Sequence, residues 1–123
     1  MLKEEAKLHS RDLYLNRLIA FQDTELVKII TGIRRCGKSS LMKLMVRHLQ
    51  QIGIADEQII EINFESMEFW GMSAKVLYQY IKARLPAGKR GYLFFDEIQR
   101  ISQWQDSINS FRVDFDCDIY VSG

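Results

Sequence analysis

Long apolar runs are absent from this chain of 123 residues. No stretch approaches the roughly 18 consecutive apolar residues that a membrane-spanning helix requires. The amino terminus is charged from Lys3 onwards and has no apolar core, so we expect no secretory signal peptide. Charge of one sign is not in excess either, because 17 basic residues nearly balance 16 acidic ones. The composition therefore leaves a nucleic-acid partner without support, although a local basic patch remains open.

Cysteine and proline are scarce. Cys36 and Cys117 are the only cysteines, and their spacing indicates neither a metal site nor a disulfide. We therefore expect a cytoplasmic, reducing environment. The chain also has no internal repeat and no low-complexity linker. Its length and its apolar fraction of 47% suit a single small domain with a real core.

Strand patterns alternate with helical patterns along the chain. β-Branched and apolar runs predict strands at 26–31, 58–64, 91–95 and 117–121. Apolar residues at helical spacing predict helices at 11–22 and 38–52, a third capped by Ser73 and ended near Pro86 and Gly88, and a fourth carrying Ile101, Trp104, Ile108 and Phe111. Such alternation predicts an α/β fold of three layers, with a parallel sheet between helices.

The segment between the first strand and its helix matches G-x-x-x-x-G-K-[ST], the phosphate-binding loop known as Walker A. Its two glycines permit backbone N–H groups to turn inward around phosphate oxygens. We expect Lys38 to reach the β- and γ-phosphates of a nucleotide and Ser39 to hold Mg²⁺. A glycine-bounded turn before an ordinary helix is the alternative. The predicted nucleotide-binding residues are Gly32, Ile33, Arg34, Arg35, Cys36, Gly37, Lys38, Ser39 and Ser40.

An apolar strand at 92–95 runs into two carboxylates, Asp96 and Glu97, in the pattern known as Walker B. Asp96 would hold the water shell of Mg²⁺, and Glu97 would polarise a water for attack on the γ-phosphate. A strand that ends in a solvated acidic turn is the alternative, which the Walker A match disfavours. Because residues 58–85 lie between the two motifs, we predict the strand order 5-1-4-3-2 of a P-loop NTPase, with strand five missing from this chain.

Together these motifs resemble the prokaryotic AAA-type ATPases that carry a carboxy-terminal domain of uncharacterised function. The resemblance extends over Tyr14 and Leu15, residues 26–39, 62–65 and 94–99, Trp104, and residues 115–123. It implies that residues 1–123 form part of an ATPase domain, with an amino-terminal helix at 11–22 and a nucleotide-binding core at 26–123. It also implies that Asn63 is a candidate switch for Glu97 and that Ser122 is the nearest candidate sensor.

The resulting functional expectation is Mg²⁺-dependent binding and hydrolysis of ATP, with ADP as product, that drives a conformational change. Two alternatives stay open: a phosphotransferase resembling nucleotide kinases, and a non-hydrolysing module that senses nucleotide. A protein partner or self-association is also expected, because strand one would lie at the sheet edge with Lys28 as its single charged guard. An arginine finger would have to come from beyond Gly123 or from another chain.

Overall fold

The computed structural model describes residues 13, 15–24, 27–30 and 38–123, with only the backbone of residues 38–40. The loop residues Gly32, Ile33, Arg34, Arg35, Cys36 and Gly37 lie outside the described residues. The model has the predicted alternation of helices and strands. Its main elements are α1 (15–20), β1 (Lys28–Ile30), α2 (Lys38–Gln51), β2 (Ile59–Asn63), α3 (Ala74–Arg84), β3 (Gly91–Asp96), α4 (Trp104–Asp114) and β4 (Cys117–Ser122).

The four strands form one sheet in the order β1-β4-β3-β2, and every neighbouring pair is parallel. This order confirms the predicted α/β fold and the 1-4-3-2 part of the predicted P-loop layout. The inner strands are β4 and β3, and the first five residues of β3 are all buried. A run that is apolar on both faces suits such a strand, because helices cover the sheet on each side.

Two cores flank the sheet. Ile81 of α3 and Phe111 of α4 pack with Phe95 on one face. Met45 of α2 and Leu18 of α1 pack on the other face. Successive strand residues point to opposite faces. Asp96 therefore lies on the α2 side of the sheet, the same side as the helix that follows the predicted phosphate loop.

Several predicted boundaries shift by a few residues. Ser73 caps α3 as predicted, because its hydroxyl accepts a hydrogen bond of 3.2 Å from the Val76 N–H. The fourth helix begins at Trp104, and Ile101 is a buried residue of the turn before it. Phe21 lies in the turn after α1 and is 48% exposed, so the helix predicted at 11–22 ends before it.

Lys28 does not guard the sheet edge as predicted. It is only 5% exposed, and its ammonium group forms an ion pair with Asp118, which is 1% exposed. The side chain lies on the covered face of β1, where the neighbouring strand supplies a carboxylate. None of the described helices is long and apolar enough to cross a membrane.

Candidate functional site

Three polar residues meet where neighbouring strands end at the carboxyl edge of the sheet. Asn63 ends β2 and pairs in register with Asp96 of β3. Ser122 ends β4, one position after the pair formed by Phe95 and Val121. Ligands of open α/β sheets bind at this edge, outside the carboxyl ends of the strands. The structure thus brings Ser122 to the same edge as Asp96, which is 26 positions earlier in the chain, and Asn63, which is 59 positions earlier.

Ser122 connects the two Walker B carboxylate residues. Its hydroxyl donates a hydrogen bond to Oδ1 of Asp96 and accepts one of 3.3 Å from the backbone N–H of Glu97. Only 1% of Ser122 is exposed, so water competes little for these contacts. One side chain on β4 therefore fixes both the orientation of the Asp96 carboxylate and the backbone from which Glu97 projects.

Glu97 has a left-handed backbone conformation, with φ 58° and ψ 45°. This conformation is uncommon for a residue other than glycine and typically costs about 1–3 kcal/mol. The carbonyl of Glu97 accepts a hydrogen bond of 3.2 Å from the Arg100 N–H, which closes the short 3-10 helix Ile98–Arg100. The strand is thereby turned sharply at its end, which lifts the Glu97 side chain off the line of β3.

The amide of Gln99 is a contact that the sequence reasoning missed. Its Nε2 donates a hydrogen bond to Oε2 of Glu97. The spacing of two residues gives no signal by itself, because only the turn after β3 brings the two side chains together. Gln99 is exposed, whereas Asp96 and Glu97 are half-buried.

Asn63 has a local contact at the same edge. Its Oδ1 accepts a hydrogen bond of 3.0 Å from the Glu65 N–H. Asn63 and Asp96 also line a cavity of about 170 Å³ between α2 and the strands, to which Lys43 and Glu61 contribute. That volume would accommodate a few water molecules at roughly 30 Å³ each. The role of Asn63 as a switch for Glu97 stays a prediction.

The predicted phosphate loop starts at this edge. Ile30, the last residue of β1, pairs in register with Ser122. Helix α2 begins at Lys38, so the required order of strand, loop and helix is present around the undescribed loop. The side chains of Lys38, Ser39 and Ser40 also lie outside the described residues. Their contacts with phosphate and Mg²⁺ therefore stay predictions.

The opposite, amino-terminal edge of the sheet carries a cluster of charged residues and a larger cavity. That cavity, of about 560 Å³, is lined by Arg90 and Asp116 among others and lies away from the Walker B carboxylates. Burial and a hydrogen bond to Asp23 raise the pKa of Tyr92, whose hydroxyl lies 2.7 Å from the Asp23 Oδ1. Burial likewise raises the pKa of the Cys117 thiol to about 11. This thiol is therefore protonated and unreactive at neutral pH.

Comparison with known proteins gives two uncharacterised relatives. A Haemophilus influenzae protein is 43% identical over 116 residues, which are 93% of this chain and 29% of that protein. A Methanocaldococcus jannaschii protein is 28% identical over 123 residues, 99% of this chain and 25% of that protein. The chain thus spans less than a third of the length of these curated relatives. No solved structure matches it significantly.

A family model described as an AAA domain matches residues 24–123. The matched range includes all four strands and both Walker motifs. It agrees with the order of the parallel sheet. The chain therefore belongs to this family of AAA domains.

Proposed function

We propose that the chain binds ATP with Mg²⁺ and hydrolyses it, and that the reaction drives a conformational change in the protein that contains it. The observation that carries this proposal is the Asp96–Ser122–Glu97 arrangement at the carboxyl edge of the sheet. Two carboxylates stand there at the end of one buried strand, on the side of the sheet where α2 begins. An AAA domain of this kind is a nucleotide-binding module.

The two carboxylates are assigned different roles because the protein holds them differently. Asp96 continues the strand and is fixed by Ser122, as suits a ligand of the Mg²⁺ water shell. A bound Mg²⁺ would neutralise charge on the β- and γ-phosphates. Glu97 is turned away from the strand, so its carboxylate can accept a proton from an attacking water. Lys38 and the loop amides would hold the phosphates in place.

Hydrolysis is preferred to the two alternatives because of Glu97. A phosphotransferase would have to keep water from the γ-phosphate, and a carboxylate set to accept a proton from water works against that. A module that only senses nucleotide has no need for a second carboxylate in a strained conformation. The 170 Å³ cavity beside Asp96 is also small for a nucleoside acceptor.

Three substitutions test the proposal, in this chain and in a protein as long as its relatives. Lys38→Ala removes a charge-assisted contact and is expected to weaken Mg·ATP binding by roughly 1.5–3 kcal/mol in calorimetry. Glu97→Gln is expected to retain ATP affinity and to lower phosphate release by about 10²–10⁴-fold. Asp96→Ala is expected to abolish the Mg²⁺ dependence of binding.

Glu65→Gln is the matched control for Glu97→Gln. It makes the same chemical change in an exposed carboxylate at the same end of the sheet, and its turnover is expected to equal that of the unaltered protein. Unaltered phosphate release by Glu97→Gln would refute the hydrolytic role. Equal affinity of Lys38→Ala and the unaltered chain for Mg·ATP would refute the nucleotide site itself.

A further inference from the structure

We propose that Gln99 is a positioning residue that holds the Glu97 carboxylate in the orientation needed for turnover; this inference rests on the proposed hydrolysis of ATP. The direct observation is the hydrogen bond from Gln99 Nε2 to Glu97 Oε2. Glu97 is the proposed general base, and the Gln99 amide contacts its carboxylate directly. Its effect on the reaction therefore passes through Glu97.

Backbone hydrogen bonds hold the main chain of Glu97, and the orientation of its carboxylate depends on the side chain. Ser122 holds the N–H of Glu97, and Arg100 holds its carbonyl. The position of the carboxylate is set by rotation about three single bonds of the glutamate side chain. A hydrogen bond to one carboxylate oxygen restricts that rotation and sets the plane of the group. Catalysis by a general base depends on such placement, because the proton must be within hydrogen-bond reach.

Gly123 supplies a second, independent observation. A Cβ built on Gly123 would lie 1.9 Å from Oε1 and 2.8 Å from Cδ of Gln99. Gly123 is not among the glycines with positive φ, so its backbone does not require glycine. The absence of a side chain there leaves the space that the Gln99 amide occupies. The amide is thus confined between the Glu97 carboxylate and the end of β4.

Because of this confinement, two different substitutions are expected to disrupt the same hydrogen bond between Gln99 and Glu97. Gln99→Leu removes the donor and keeps a side chain of similar size. Gly123→Ala keeps the donor but pushes the amide out of its place, because the atoms it meets are the far end of a flexible side chain. Both are expected to free the Glu97 carboxylate without unfolding the domain, since Gln99 is exposed.

The test compares steady-state ATP hydrolysis and nucleotide affinity for Gln99→Leu, Gly123→Ala and Gln105→Leu in the full-length protein. Gln105 is exposed on α4, outside the site, and undergoes the same change of glutamine to leucine. Loss of one positioning hydrogen bond is expected to lower kcat about tenfold, with KM and the Kd for Mg·ATP nearly unchanged. Gln105→Leu is expected to keep the original kcat.

The outcomes separate this inference from the proposed function. An unchanged kcat in Gln99→Leu overturns the positioning role, and so does a loss confined to KM or accompanied by a lower Tm. If the unaltered protein does not hydrolyse ATP, the proposed function is refuted. The contact between Gln99 and Glu97 is then tested by NMR. The side-chain amide resonances of Gln99 are expected to move in Glu97→Ala and to stay in place in Glu65→Ala; no movement in Glu97→Ala overturns the inference on its own.

Discussion

Asp118 is a buried charged residue with three polar partners in the described structure. Its Oδ1 pairs with the Lys28 ammonium group, and its Oδ2 accepts hydrogen bonds from the Asp23 N–H at 2.9 Å and the Tyr120 hydroxyl at 2.8 Å. The Lys28 ammonium also lies 5.1 Å from the centre of the Tyr120 ring. Moving a charge from water into the protein interior raises the free energy, and these contacts offset that increase.

Asp118→Ala is therefore expected to lower the free energy of unfolding by about 3–5 kcal/mol, because it leaves the Lys28 charge buried without its partner. The double variant Lys28→Met/Asp118→Leu is expected to lose less, since no lone charge remains. Urea unfolding followed by circular dichroism measures both. Lys89→Ala in the exposed Lys89–Glu57 pair is the control and is expected to have no measurable effect. Similar stability of Asp118→Ala and Lys89→Ala would contradict the buried pair.

Asp23 links the segment after α1 to the sheet and makes stability depend on pH. Partial burial raises the pKa of this carboxyl, but hydrogen bonds from Gln22 and Tyr92 and the charge of Arg90 outweigh burial and place the pKa below the usual 3.8. The folded state thus holds the charged form more strongly than the unfolded state does. Its contribution is present above pH 3.8 and is lost as the pH falls through the lower, folded value.

In the corresponding test, urea midpoints are compared at about pH 6 and about pH 3. The unaltered chain is expected to lose more stability between these two pH values than Asp23→Asn, which cannot titrate. Gln22→Ala serves as a milder control, because it removes one hydrogen bond to Asp23 and keeps the carboxyl. Equal acid sensitivity of the unaltered chain and Asp23→Asn would show that Asp23 is not the group responsible.

Residues in a local pattern could be predicted from the sequence, and residues with distant partners could not. Asp96 and Glu97 follow an apolar strand, so their place at the sheet edge was predictable. Lys28 was predicted to guard an exposed edge, which is wrong, because its partner Asp118 lies 90 positions later in the chain. Gln99 was missed because its contact with Glu97 depends on a left-handed turn that no local pattern indicates.

At the scale of single elements, helix α3 shows how one side chain sets a boundary. Ser73 has an extended backbone, with φ −81° and ψ 163°, and its hydroxyl accepts the N–H of Val76. That bond satisfies one of the first N–H groups of the helix, which have no partner within it. At the other end, Lys82 and Arg84 lie where positive charge stabilises the helix dipole.

Ser73→Ala is expected to lower the free energy of unfolding by about 1 kcal/mol, because the cap is lost and nothing replaces it. Ser66→Ala is the matched control. Ser66 precedes the 3-10 helix Met67–Phe69 in the same position, but its side chain makes no capping hydrogen bond. Chemical denaturation of both variants measures the difference. A loss of the same size in Ser66→Ala would remove the capping explanation.

The start of α4 was less predictable than that of α3. Ile101 continues the helical spacing of Trp104, Ile108 and Phe111, and it is buried like the last two. It nevertheless precedes the helix, which begins after Gln103 in a left-handed conformation of φ 59°. The spacing of apolar residues indicates which residues face the core. A turn residue that packs on the same core satisfies that spacing as well as a helical residue does.

At the scale of the whole molecule, the sheet has an apolar edge. Among the described strands, β1 pairs with β4 alone. Ile29, in the middle of β1, is 61% exposed, and Lys28 does not protect the edge because it is buried. A strand edge with free N–H and C=O groups beside exposed apolar area favours pairing with another chain.

Ile29→Lys is therefore expected to reduce self-association of this chain, measured by light scattering over a range of protein concentrations. Ile52→Lys is the control, because Ile52 is 52% exposed but lies in the turn after α2 rather than on a strand. It adds the same charge without altering the edge. If both variants scatter alike, general solubility and not the edge strand explains the association.

The sheet order of the whole molecule was predictable because two motifs constrain it. The predicted phosphate loop must follow one buried strand, and the predicted Walker B carboxylates must follow another. The strand and helix that lie between the two motifs in the sequence then have to be placed beyond the strand that carries the carboxylates. The side-chain packing on the two faces of the sheet was not predictable in the same way. It depends on contacts such as the stacking of Tyr120 on Phe94, whose ring centres lie 4.6 Å apart, and such contacts join residues far apart in the sequence.

The inner position of β3 gives the two halves of the proposed nucleotide site different resistance to opening. Strands β3 and β4 are each hydrogen-bonded on both sides, so we expect their amides to exchange with solvent deuterium only when the whole domain unfolds. Strand β1 is bonded on one side within the described sheet, and its amides exchange through local fraying as well. Asp96 thus stands on one of the two strands expected to exchange most slowly, whereas the predicted phosphate loop follows a strand expected to exchange faster. Mild denaturant would accordingly release nucleotide before it unfolds the sheet.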